Sequence, residues 1–304
     1  MSTPGFRHEA FLYDSDDEFV GRMAEFLAAG LDEGAPGLAV TSRSHCALLR
    51  DGLGAASDRV RFVDRDDWFV RPANTIAAYD ATLRDLARGG AASIRVVGEV
   101  QFGPTAEEWR DWTAYEAILN RALAEHPAWF VCPYDRRVLP EQVVEAASRT
   151  HPEVLTDTRH RSDSFSSPEE TVLDLTPAHE PLDELRALPL AADAVSFRER
   201  LAAELAAAKV PEATALNMLV AANEVAVNAL RHGGGTEAIR AGRVDGHFVC
   251  EISDRGPGLA DPLAGYLPPN PEAGRGAGLW TARQLVSRLE LISAGDGLTV
   301  RLWV

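Results

Sequence analysis

Glu224, Asn228 and His232 stand four residues apart in a stretch that runs from Asn217 to three glycines, Gly233, Gly234 and Gly235. On a helix that spacing lines a carboxylate, an amide and an imidazole along one stripe, and the glycines mark where the helix should stop. Leu216, Leu219, Val220, Asn223, Val227 and Leu230 recur at three- and four-residue steps. The pattern predicts that their side faces the core and that the polar stripe borders it. A polar row beside a core needs partners or a ligand, because an unpaired buried polar group costs roughly 1–3 kcal/mol. An ordinary solvated helix edge would carry the same triplet, so the stripe alone does not define a site. His232, in the last turn, could equally satisfy free carbonyls and complement the helix dipole.

Two later stretches add to it. Val249 to Ser253 alternates as a strand and runs into Asp254-Arg255-Gly256-Pro257-Gly258, a carboxylate followed by a turn of little bulk against which a flat ligand could lie. Further on, Gly274, Gly276 and Gly278 precede a helix predicted over 279–289, and glycines before a helix start leave N–H groups free for phosphate oxygens. A glycine triplet is weak evidence by itself; the three features in this order are stronger.

With these motifs residues 190 to 304 resemble the GHKL ATPase family, which includes histidine kinase ATP-binding domains, gyrase-type ATPases and anti-sigma-factor serine kinases. The resemblance implies a C-terminal α/β sandwich of the Bergerat type that binds ATP and Mg²⁺. It implies that Asn228 holds the metal, that Glu224 orients or deprotonates the attacking group, and that Asp254 accepts from the adenine amino group. Gly256 and Gly258 would shape the adenine side, and Gly274, Gly276 and Gly278, with Leu279 opening the helix, would let a lid over 261–274 close on the phosphates. The run from Gly274 to Leu285 and the closing strand 298–304 look most like the anti-sigma serine kinase branch. That branch implies a STAS-domain antagonist as phosphate acceptor, a sigma factor as a second partner, and a homodimer.

The chemistry suits the residues themselves. Phosphoryl transfer needs a metal on the phosphate oxygens, donors around them and a base near the acceptor hydroxyl, and Glu224 lies one turn from Asn228, within the reach a base requires. Two other readings stay open: a sensor histidine kinase, although the helix predicted over 193–209 contains no histidine, and a non-catalytic module whose nucleotide only gates partner binding.

In the first half, β-rich runs at 9–13, 38–41, 59–63, 93–97 and 128–132 alternate with helical stretches at 18–31, 75–87 and 106–125. Such alternation predicts a mostly parallel sheet covered on both faces, whose ligands bind beyond the carboxyl ends of the strands. Glu99 and the run Cys132-Pro133-Tyr134-Asp135 follow strands and His8 precedes one, so His8, Glu99, Cys132, Tyr134 and Asp135 are the candidate pocket, unless they are plain scaffold. With His8, the strand to Tyr13, the Cys132–Asp135 run and Thr150-His151-Pro152, residues 6 to 155 resemble the MEDS sensory domains, degenerate relatives of RecA-like folds. That implies sensing of a small-molecule or protein signal. Residues 156–168 are polar and aperiodic and are expected to be a linker, between a sensory domain over 1–155 and an ATP-binding domain over 169–304 that opens with a strand at 170–175.

The 304 residues are 46% hydrophobic and carry a formal net charge of −16, which suits two globular domains and disfavours nucleic acid. No apolar run approaches a membrane span and residues 1–5 carry no signal sequence, so a cytoplasmic protein without membrane contact is expected. Cys46, Cys132 and Cys250 are too scattered for a disulfide framework or a zinc ribbon, and His45-Cys46 has no matching ligand cluster. Lys209, the single lysine, has no glycine-rich loop before it, which excludes a Walker A motif.

Overall fold

The computed structural model describes residues 5–176, 180–190, 193–270, 276–293 and 297–304. The chain forms two compact units, Met1–Leu175 and Thr176–Val304.

The first unit runs β1 (Arg7–Tyr13), α1 (Asp16–Asp32), β2 (Gly37–Thr41), α2 (Arg43–Leu53), β3 (Val60–Asp64), α3 (Arg65–Trp68) and α4 (Pro72–Ala87). It continues with β4 (Ile94–Gly98), α5 (Ala106–Ala122), β5 (Ala128–Asp135), α6 (Glu141–Thr150), β6 (Glu153–Leu155), β7 (Arg159–Arg161) and α7 (Pro168–Leu175). The sheet order is β3-β2-β4-β5-β1-β6-β7, parallel except for the β6–β7 pair. Polar residues start the helices: the Ser15 hydroxyl accepts from Glu18 N, and Thr105 and Glu108 close a capping box. Alternate strand residues serve two layers. Phe11, Tyr13, Ala39, Val97 and Val131 pack with Phe19, Met23 and Leu27 of α1 and Leu49 of α2. From the other face Phe130 meets Tyr79 of α4 edge-on at 5.0 Å between ring centres, and His8 meets Glu116 of α5. The predicted parallel α/β sheet is therefore present, joined by three helices, α2, α3 and α6, that the apolar pattern did not single out.

The expected linker is part of this unit. Arg159–Arg161 pairs antiparallel with β6, and the Arg159 guanidinium binds the buried Glu9 carboxylate at 2.8 Å. Residues 170–175 are helical rather than extended: α7 packs on α5 and α6 and buries Thr171. The Ser167 hydroxyl accepts from Glu170 N while the Glu170 carboxylate accepts from Ser167 N, a capping box with Pro168 at the first helical position. That local signal outweighs the short apolar alternation of Val172, Leu173 and Leu175, and it moves the boundary from 155–169 to Leu175.

The second unit runs β8 (Arg186–Leu188), α8 (Ala194–Ala207), α9 (Glu212–His232), β9 (Thr236–Val244), β10 (His247–Asp254), α10 (Gly278–Leu285), β11 (Arg288–Ser293) and β12 (Leu298–Trp303). Its antiparallel sheet has the order β11-β12-β10-β9-β8. Phe197, Leu201 and Leu205 of α8, Met218, Ala222 and Val225 of α9 and Ala282 of α10 pack on Ile239, Phe248, Cys250 and Ile252. The neighbouring strand residues carry charge, with Glu251 binding Arg301 at 2.7 Å.

Two sequence expectations fail in this unit. The core face of α9 is Met218, Ala221, Ala222, Val225 and Ala229, whereas Leu216, Val220 and Leu230 are 61%, 40% and 67% exposed. Helix α9 is apolar around most of its circumference, so a three-to-four period fits more than one side, and the alanine side comes closest to the sheet. By length and composition alone α9 is also long and apolar enough to cross a membrane; here its alanine face lies on the sheet. The helix predicted over 279–289 ends at Leu285, and Leu289 lies in β11, paired with Leu302.

Candidate functional site

In the second unit a cavity of about 320 Å³ lies between α9, the turn after β10 and the start of α10, within the size range of small-molecule sites. Val225, Ile252, Leu263, Leu267, Leu298 and Val300 give it apolar walls, and Asn228, His232, Asp254 and Asp261 bring polar groups to it. Gly256, Gly258, Gly276, Gly278 and Leu279 also line it. The cavity thus brings together eight residues that the sequence singled out: Asn228, His232, Asp254, Gly256, Gly258, Gly276, Gly278 and Leu279. Gly274, and with it part of the expected lid, lies outside the described residues.

Asp254 is fixed by its own turn. Its Oδ1 accepts from Gly256 N at 2.9 Å and from Leu298 N at 3.1 Å, which holds the carboxylate across the mouth of β10. Gly233 makes room for it: a Cβ there would stand 2.3 Å from Asp254 Oδ2. The glycines after α9 therefore do more than end a helix; they let the carboxylate pack against the chain.

Glu224 stands at the rim rather than in the wall. A Cβ on Gly278 would lie 3.1 Å from both Glu224 Oε2 and Asn228 Nδ2, so the carboxylate and the amide converge, one turn apart, on the first residue of α10. The N-cap residue Ala277 offers no side-chain cap to α10, and the first-turn N–H groups of such a helix suit an anionic ligand at the same spot. An acceptor amide, a carboxylate, free donors and a slot with apolar walls suit binding and transfer of a phosphorylated, flat molecule. Leu263 and Leu267, inside the lid stretch, are wall residues that periodicity gave no means of finding.

In the first unit the expected pocket residues separate. Glu99 and Asp135 lie at the carboxyl ends of the strands, as expected. The Glu99 carboxylate accepts from Ser42 N at 2.8 Å and contacts His45 Nδ1 at 2.9 Å and Arg65. Asp135 binds the Arg137 guanidinium, which, with the backbone N–H of Arg137, keeps its carboxyl below the ordinary range against the opposing effect of burial. The Tyr13 phenol sits near both acids, and burial and then their charges push its pKa up. His8, Cys132 and Tyr134 belong elsewhere: because strand residues alternate, they project from the face covered by α5 and α6. There His8 and Cys132 meet Glu116 of α5 and His151 just after α6, all fully buried, and the Tyr134 ring packs edge-on to His151 at 5.7 Å. Burial pushes His8 down to about 4, with the neighbouring His151 acting the same way, and pushes the Cys132 thiol well up, with the Glu116 charge adding to it. Glu116 was invisible in sequence, one glutamate in an ordinary amphipathic helix.

Comparison with known families agrees with this two-unit organisation. Residues 7–152 match the MEDS family, the methanogen/methylotroph, DcmR sensory domain, and residues 188–304 match the histidine kinase-like ATPase domain. No curated protein matches the chain.

Proposed function

From a chain that joins a MEDS-like sensory domain to a histidine kinase-like ATPase domain, we propose an ATP-dependent protein serine/threonine kinase of the anti-sigma-factor type, controlled by a signal at its first unit. Its acceptor would be a STAS-domain antagonist, with a sigma factor as second partner, and it would act in the cytoplasm as a homodimer. The observation that supports this most is the convergence of Glu224 and Asn228 on the uncapped start of α10, at the edge of the cavity that Asp254 closes.

The residues fit a nucleotide. The apolar walls suit an adenine ring, Asp254 Oδ2 is the oxygen left to accept from an exocyclic amine once Oδ1 holds the turn, and the N–H groups of α10 would donate to phosphate oxygens. Mg²⁺, held by the Asn228 amide oxygen, would neutralise charge on those oxygens. Glu224 accepts the proton of the attacking hydroxyl, a role worth on the order of 10²–10⁴ in rate. Helix α8 contains no histidine, which counts against autophosphorylation of that helix.

Transfer from labelled ATP to candidate STAS proteins, wild type against Glu224→Ala, tests the proposal. Acid-stable phosphate on the partner that disappears in the variant is the expected result. Acid-labile phosphate on the chain itself, or a nucleotide-dependent complex without transfer, would overturn it in favour of a histidine kinase or a binding module.

A further inference from the structure

The four buried side chains His8, Glu116, Cys132 and His151 offer one ligand atom each, and these atoms all lie within 4.8 Å of one another. His8 Nε2 is 3.3 Å from Cys132 Sγ and 3.1 Å from Glu116 Oε2. Glu116 Oε2 is 3.4 Å from His151 Nε2 and 3.5 Å from Cys132 Sγ. Ligands at the usual zinc distances of about 2.0–2.3 Å stand roughly 3.3–3.8 Å apart at the corners of a tetrahedron. These four of the six separations are those of tetrahedron edges, slightly contracted, and the other two do not exceed 4.8 Å.

Hydrogen bonds on the far side of each ring decide which nitrogen faces the centre. Asn120 Nδ2 donates to the carbonyls of Ala117 and Thr150, at 3.1 and 2.8 Å. That fixes its amide so that Oδ1, an acceptor only, faces His8 Nδ1 at 3.2 Å. His8 therefore carries its proton on Nδ1. His151 Nδ1 is 2.9 Å from both the Ala147 carbonyl, an acceptor only, and the Thr150 hydroxyl, which has its own acceptor in the Ala146 carbonyl at 3.1 Å, so this nitrogen too is assigned the proton. Both Nε2 lone pairs then point at a carboxylate oxygen, acceptor against acceptor in a space closed to water. His151 Nε2 and Glu116 Oε1 make no hydrogen bond, and the Cys132 thiol supplies a single proton for the whole group. A cation removes that conflict; the far-side bonds are the ones that orient and strengthen histidine ligands of metals.

We propose that His8 Nε2, His151 Nε2, Cys132 Sγ and Glu116 Oε2 form a tetrahedral site for a zinc-class divalent transition metal inside the sensory unit. On binding, the Cys132 S–H bond breaks, its proton leaves to solvent and its electron pair forms the metal–sulfur bond. Thiolate, carboxylate and two neutral imidazoles then balance the 2+ charge, so the centre is electrically neutral where burial makes net charge costly. The mixed N, S and O donor set suits zinc and excludes calcium and magnesium, which take oxygen ligands. A surface cleft lined by Phe6, Arg7, His8, Asn120 and Pro152 lies next to the site, whose His8 side chain is itself fully buried. The ligands come from β1, α5, β5 and the segment after α6, so the metal ties the sheet to both helices, and a signal that displaced one ligand would loosen that joint.

The test uses the full chain, stripped of metal and titrated with Zn²⁺ and with Co²⁺. One equivalent should bind with release of about one proton. The cobalt form should show the intense visible bands of tetrahedral geometry and a thiolate charge-transfer band that Cys132→Ser removes and Cys46→Ser and Cys250→Ser keep. X-ray absorption of the wild-type zinc form should show one sulfur and three nitrogen or oxygen neighbours, which answers the question even where Cys132→Ser fails to fold. Binding of less than a tenth of an equivalent, an octahedral cobalt spectrum, or a first shell without sulfur would overturn the proposal.

Discussion

Replacing Asp254 by asparagine separates the turn from the ligand. Asn keeps an oxygen where Asp254 Oδ1 accepts from Gly256 N and Leu298 N at 2.9 and 3.1 Å. The side chain cannot flip, since an NH₂ there would face two donors. The NH₂ therefore takes the place of Oδ2, the oxygen beside Gly233, and offers a donor where an exocyclic amine needs an acceptor. Loss of one partner of a buried hydrogen bond costs about 1–3 kcal/mol, or roughly 5- to 150-fold in Kd. Titration calorimetry with Mg²⁺ and a non-hydrolysable ATP analogue should show that loss, while the thermal midpoint of the ligand-free protein stays near wild type. Asp254→Ala is the contrast, because both turn bonds go and stability falls with affinity. Unchanged nucleotide affinity in Asp254→Asn would show that this carboxylate does not recognise the base.

Three further outcomes are expected. Gly278→Ala places a methyl 3.1 Å from Glu224 Oε2 and Asn228 Nδ2; with the pair displaced by a few tenths of an ångström, phosphotransfer should fall about 10-fold or more while circular dichroism stays unchanged. Met218→Ala, on the buried side of α9, should cost about 2–5 kcal/mol in urea unfolding, whereas Leu216→Ala, on the exposed side, should stay within about 0.5 kcal/mol; equal costs would mean the helix is rotated. Burial alone would raise the Asp80 carboxyl, but His126 and Arg84 hold it below its ordinary value, so its contribution is complete above about pH 4 and is lost as pH falls through the lowered folded value. The stability difference between wild type and Asp80→Asn should accordingly shrink toward acid, and a difference that is flat below pH 4 would remove Asp80 from the account.

Much of the fold was legible because its signals are local. In the first unit, five β-rich runs with capped helices between them give a mostly parallel sheet whatever lies far along the chain, and the order of α9, the Asp254 turn and the glycines before α10 carries the second site. The errors fall where local signals were short or degenerate. Ser167 and Glu170 were enough to start α7, but two turns of helix alternate too briefly to be told from a strand by apolar pattern. Helix α9 has apolar residues on several sides, and only the fit of its alanines against sheet and α10 selects the buried one.

By itself the sequence carried most of the element types, the two-unit plan and the motif residues Asn228, Asp254, Gly256 and Gly278 that line the cavity, since each signal lies within a turn or a hairpin; it did not carry the helix at 170–175 or the walls Leu263 and Leu267. Only the tertiary structure decided which side of α9 is buried, that residues 159–175 complete the first unit, and that positions 8, 116, 132 and 151 share one point. The physical reason is range: periodicity and capping act over three or four residues. A register such as Ala10 against Cys132, with two helices laid on the same face, is set by packing among segments more than a hundred residues apart and leaves no mark on any one of them.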